Sequence, residues 1–193
     1  NNIIMRKLFI LILIPVSFFS QDIEITQPDF RDVELANKHS DIIKIYAWYD
    51  SLGKNTLIMT ADRNCGDMRD EYCDLRAYHY TGKNKLLWDI KDYAEDQYGM
   101  FLNDIEFSDV DSDGIVEISI LYQLGADDIY SVKLIMHENG KKYAIRGKTG
   151  FDYRDRCVYD YDMFGRNSFE YAKNSFRNHA LGLFSDAYNC YSD

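Results

Sequence analysis

From Asp41 onward the chain alternates apolar and polar positions with a period of two. Ile43, Ile45, Ala47 and Tyr49 interleave with Lys44, Tyr46 and Trp48, the repeat of a strand whose successive side chains point to opposite faces. Ser51-Leu-Gly-Lys-Asn55 is turn chemistry, and residues 56–60 read as the returning strand. Beyond a charged loop over 62–74, residues 75–81 form a third strand, which Gly82-Lys-Asn84 turns into a fourth over 85–90. Residues 92–99 are polar and read as one helical turn. A strand over 103–108, an acidic loop, and a β-prone run over 115–124 follow. Residues 129–137 and 142–146 then flank Glu138-Asn139-Gly140, and Asn-Gly between β-prone runs is a strong hairpin signal. Upstream of all this, residues 21–40 read as a lead-in strand and turn.

The period changes near the C-terminus. Phe169, Ala172, Phe176, Ala180, Leu183 and Ala187 recur at steps of three and four, the stripe of an amphipathic helix. Asn167-Ser-Phe-Glu170 resembles a capping box that would start it. Strands followed by one late helix predict an α+β fold: a mostly antiparallel sheet of hairpins with a C-terminal amphipathic helix packed on it. No repeat or low-complexity segment interrupts the pattern, so residues 21–193 are expected to form a single β-rich domain, large enough at about 170 residues for a real core.

The first twenty residues belong to a different class. Met5, Arg6 and Lys7 precede the apolar run Leu8-Phe-Ile-Leu-Ile-Leu-Ile-Pro-Val16, and Ser20 precedes polar Gln21-Asp22. This is the secretory pattern, with the start at Met5 and cleavage after Ser20. The run is shorter than the roughly 20 residues a bilayer requires, so no stable membrane anchor is expected after cleavage. The product is expected in the periplasm, outside the cell or at its surface.

Export changes how the cysteines and charges are read. Four cysteines, Cys65, Cys73, Cys157 and Cys190, lie beyond the leader, and an even count in an oxidising compartment points to disulfides. The spacing allows more than one pairing. We expect Cys65–Cys73 to close one loop and Cys157–Cys190 to tie down the C-terminal segment. The chain has 32 acidic and 22 basic residues, and such an acidic surface repels phosphate backbones, arguing against nucleic-acid binding.

The sharpest candidate chemistry is Asp109-Val-Asp111-Ser-Asp113-Gly114-Ile-Val-Glu117. Three carboxylates at alternate positions can converge on one hard cation, Gly114 permits the reversal, and Glu117 adds further oxygens. The candidate ligand set is Asp109, Asp111, Asp113, Ile115 and Glu117, and the expected ion is a structural Ca2+. The loop is not an EF-hand: the twelfth position is Ile120, inside an apolar β run rather than a closing Glu on a helix. It is similar to the D-x-D-x-D-G loops that join strands in extracellular β-repeats.

Other signals are weaker. His39, His79, His137 and His179 lack metal spacing and read as packing or surface histidines. Tyr46, Trp48, Tyr49, Tyr78, Tyr80 and Trp88 could stack on sugar rings, but read first as strand formers and core. No nucleophile elbow, zincin, P-loop or dinucleotide fingerprint occurs, so no catalytic residue is assigned.

Several segments together resemble a family of exported Bacteroidota proteins labelled surface polysaccharide biosynthesis proteins. They are Ile45-Tyr-Ala-Trp-Tyr-Asp-Ser-Leu-Gly53, Leu75-Arg-Ala-Tyr-His-Tyr80, Leu87-Trp-Asp-Ile90, Phe107-Ser-Asp-Val-Asp-Ser-Asp-Gly-Ile-Val-Glu-Ile118, residues 132–147 and Ser175-Phe-Arg-Asn-His-Ala180. Where that family carries a Cys-His-Gly-Asp type segment, this chain reads Gln123-Leu-Gly-Ala-Asp-Asp128. The resemblance implies an envelope location and a part in lipopolysaccharide or capsule biogenesis, with an envelope polysaccharide or protein as partner, and the missing catalytic motifs make that part a non-catalytic one. The alternative is a calcium-dependent extracellular module that binds a protein or glycan.

Overall fold

Turns of two or three residues, at 51–52, 82–84 and 139–140, join three pairs of neighbouring strands, and links that short allow only antiparallel pairing. The computed structural model describes residues 23–63, 71–94, 99–125, 127–165 and 167–190. The expected leader and Cys65 lie outside them, and so does half of the turn expected over 92–99. Strands β1 (Ile42–Asp50), β2 (Gly53–Asp62), β3 (Asp74–Thr81) and β4 (Lys85–Tyr93) form one antiparallel meander. A second consists of β5 (Met100–Ser108), β6 (Glu117–Leu124), β7 (Ile129–Glu138), β8 (Lys141–Phe151) and β9 (Cys157–Asp162). The helix α1 (Asn174–Tyr188) closes the chain. The α+β expectation holds, with two sheets rather than one.

The two meanders pack face to face, because each has an apolar face. Trp48, Leu57, Met59 and Leu75 from the first meet Ile118, Ile120, Tyr122 and Ile135 from the second. The outer face of the second sheet supplies Leu121, Leu134, Met136 and Ile145, which pack against Phe176, Ala180, Phe184 and Tyr188 of α1. The outer face of the first is covered by Leu35 and Ala36, which lie against Ile45, Ile58 and Tyr80. Central strands are therefore buried on both faces, and burial is unbroken along 55–61 of β2 and 117–122 of β6 for that reason.

Several expectations are corrected. Among the described residues, 23–40 hold two 3-10 turns, Phe30–Asp32 and Glu34–Lys38, and only Thr26 bridges to Ala47 of β1. Their polar residues compete locally for backbone groups: Asp29 accepts from the Arg31 amide at 2.9 Å, which favours a turn over a strand. The β4 strand continues through residue 93, beyond its expected end at 90 and into the segment read as a helical turn, because residues 91–93 pair with β3. The helix starts at Asn174, not beside Asn167, whose φ of 59° puts it in a left-handed turn. Phe169 is fully buried before the helix begins and stacks on Tyr143 at 5.3 Å, so the apolar stripe continues across a turn.

Cys157 at the start of β9 and Cys190 just beyond α1 form a disulfide with Cα atoms 5.9 Å apart, within the usual range for such a bond. This is the pairing expected for the C-terminal segment. Asn139 and Gly140, both at positive φ, make the tight turn between β7 and β8, as the sequence implied. Of the aromatic residues read as core, Tyr46, Trp48, Tyr80 and Trp88 are buried, whereas Tyr49 is 70% exposed. No helix among the described residues is long and apolar enough to cross a membrane.

Candidate metal centre

Ser108 at the end of β5 pairs with Glu117 at the start of β6, and the acidic loop hangs from this pair. Inside the loop, side-chain oxygens satisfy main-chain amides that no ladder serves. Asp109 accepts from the amides of Asp113 at 3.0 Å and Gly114 at 3.1 Å. Asp113 accepts from the Ile115 amide at 2.9 Å, and Asp111 from Asp113 at 3.3 Å. Such side chain to backbone bonds fold a short chain segment around its own carboxylates. As a result, one oxygen from each of Asp109, Asp111, Asp113 and Glu117 lies within 4.8 Å of the others. This four-carboxylate group could hold a metal ion. Ile115, in the expected set, braces Asp113 through its N–H.

Glu117 differs from the three aspartates because it is fully buried. Its Oε2 accepts from the Val110 amide at 2.9 Å, while Oε1 has no hydrogen-bond partner. Burial pushes its carboxyl up to about 7. The Val110 hydrogen bond opposes that shift, and the charges of Asp111 and Asp109 reinforce it. A buried oxygen left without a donor is costly unless something electropositive meets it.

Three further elements hold the loop from outside, and none was legible as part of the site. The turn between β1 and β2 docks on it: the Ser51 amide donates to the Gly114 carbonyl at 2.7 Å, and Asp50 accepts from the Val116 amide at 3.2 Å. Gly114 is required twice, by its φ of 77° and because a Cβ there would approach Ser51 Oγ to 2.5 Å. From the end of β7, Glu138 faces the same region. Lys173, the residue before α1, reaches across to both: its Nζ donates to Asp111, lies 3.7 Å from Asp113, and donates to Glu138 at 2.9 Å. The hydrogen bonds to Asp111 and Glu138 hold its ammonium well above the ordinary lysine value. Lys173 lies 62 residues from Asp111 in sequence, so no local pattern announces it.

Asp50 also starts a polar chain that enters the core. Asn55 donates to Asp50 at 2.8 Å, and buried His79 donates from Nε2 to Asn55 at 2.9 Å. His79 stacks on Trp48 with centroids 5.1 Å apart and meets the edge of Trp88 at 5.2 Å. Trp88 in turn stacks on His137 at 4.0 Å. Four rings thus cross from one sheet to the other, and the two interior histidines are packing residues, as their spacing suggested. No protein-family model matches the chain, and no curated protein or solved structure matches it.

Proposed function

We propose that the protein is an exported, non-catalytic scaffold that carries a structural calcium ion and acts in surface polysaccharide biogenesis. The observation that carries the calcium reading is the buried, unpartnered Oε1 of Glu117 in a ring of three other carboxylates. Calcium suits this donor set because it accepts six to eight oxygen ligands in flexible geometry, whereas magnesium demands a near-ideal octahedron and keeps several of its waters.

The role is structural because of where the loop is fastened. It touches the β1–β2 turn through Gly114 and Val116, and the approach to α1 and the end of β7 through Lys173. An ion that orders this loop therefore stabilises contacts between both sheets and the helix. Export is supported by the leader pattern and by the Cys157–Cys190 disulfide, a bond that persists in oxidising compartments. The polysaccharide role, and an envelope polysaccharide or protein as partner, rest on the resemblance of the segments quoted above.

Calcium at about a hundredfold its Kd should raise the melting temperature by roughly 5–10 °C over EGTA. Glu117→Gln removes the buried charge yet keeps an acceptor for Val110, so it should fold and lose most of that shift. A melting curve indifferent to calcium sinks the ion. For the pathway, a deletion strain with unaltered lipopolysaccharide and capsule profiles would refute the assignment.

A further inference from the structure

Lys173 lies among anions that a bound metal would also claim. Its ammonium bridges Asp111 and Glu138 and stands 3.7 Å from Asp113, and among the described residues it forms no ion pair with Asp109 or Glu117. It therefore neutralises the outer side of the acidic loop and leaves the inner side, with the open Glu117 Oε1, unserved. A divalent ion drawn to that inner oxygen needs Asp111 as well. Asp111 would then face an ammonium and a divalent ion at once, and like charges at such separations repel strongly in a partly buried site.

We propose that Lys173 is a built-in competitor for the metal, displaced from Asp111 when calcium enters and retained by Glu138. This rests on the calcium reading of the loop. The geometry provides for the transfer. Glu138 lies outside the four-carboxylate group and is fixed at the end of β7, 2.9 Å from Nζ. The ammonium also lies 4.6 Å from the Phe176 ring, a second favourable contact that does not depend on the loop. The Lys173 side chain is about half exposed, and its four-carbon stem can swing without disturbing the backbone. Because Lys173 immediately precedes α1, metal occupancy decides whether the start of the helix is tied to the acidic loop or to β7 alone.

Calcium titration calorimetry on the full chain tests this. Lys173→Met keeps the stem and removes the charge. Calcium should bind it about tenfold more tightly than the wild type, the gain expected if the ammonium-free loop is about a tenth populated. Glu138→Gln removes the alternative anion and should weaken binding several-fold, and that effect should largely vanish in the double variant with Lys173→Met. If calcium binds the wild type but Lys173→Met binds equally or more weakly, Lys173 is only an anchor and the inference falls while the calcium site stands. If neither protein binds calcium, both the site and the inference fall. Should Lys173→Met not fold, Lys173→Arg serves instead. Its two-pronged grip on a carboxylate should weaken calcium binding, and equal or tighter binding overturns the proposal.

Discussion

Asp50 takes hydrogen bonds from the Trp48 indole, the Asn55 side chain and the amides of Leu52 and Val116. One carboxylate thus closes its own hairpin turn, anchors a buried ring and holds the loop of the opposite sheet. Replacing Asp50 with Ala leaves several of these donors without an acceptor, and such losses cost about 1–3 kcal/mol for each buried group. We expect Asp50→Ala to lose about 3 kcal/mol or more of stability in urea unfolding, and a loss below about 1 kcal/mol would show that water replaces the carboxylate. In sequence Asp50 is an ordinary turn residue beside Ser51-Leu-Gly. Nothing local distinguishes it, because its decisive partner, Val116, is 66 residues away.

At the level of elements, α1 is held by side chains four residues apart: Phe176, Ala180, Phe184 and Tyr188 are all buried. Phe184 meets Tyr159, Tyr161 and Tyr188, so the helix covers β9 as well as the middle of the sheet. Phe184→Ala should cost about 3–5 kcal/mol, read as a shift in the urea midpoint at unchanged slope, and a loss under about 1 kcal/mol would mean that the helix is marginal to the core. The apolar stripe was visible in the sequence at Phe176 and Ala180, but beyond them Phe184 and Tyr188 are buried rather than the expected Leu183 and Ala187, and its start was not visible. Asn167 and Glu170 have the residue types of a capping box, but the turn at Asn167 instead delivers Phe169 to Tyr143. Burial of a phenylalanine outweighs the roughly 1 kcal/mol a helix cap supplies. The β9 strand was missed for a related reason: its burial is only partial, and its pairing with β8 supplies what its composition does not announce.

Across the whole molecule, the interface between the sheets carries a titration signature. Burial pulls His79 down to about 4 and His137 down to about 3, from an ordinary value of 6.5. Both are neutral when folded at neutral pH. As pH falls below 6.5 the unfolded chain takes up protons that the folded chain refuses, so their contribution to stability is complete above that pH. It is lost progressively as pH drops toward 4 and then 3. His137→Phe keeps a ring against Trp88 and removes one of the two groups. Unfolding free energies of the variant should therefore fall less steeply than those of the wild type between pH 6.5 and 4, and identical slopes would contradict the account.

The sequence by itself determined eight of the nine described strands, the chief turns and the presence of one late helix. These depend on periodicity, on Asn-Gly and on residues that neighbour one another along the chain. It also determined the acidic loop, since Asp109, Asp111, Asp113 and Glu117 lie within nine consecutive positions and their convergence follows from one tight reversal. Tertiary structure alone decided that the strands divide into two facing sheets, because period-two alternation reports that a strand has a buried face and not which partner covers it. It also decided what surrounds the loop. Asp50, Glu138 and Lys173 come from three separate elements, and the burial that leaves one oxygen of Glu117 without a donor exists only when those elements are packed together.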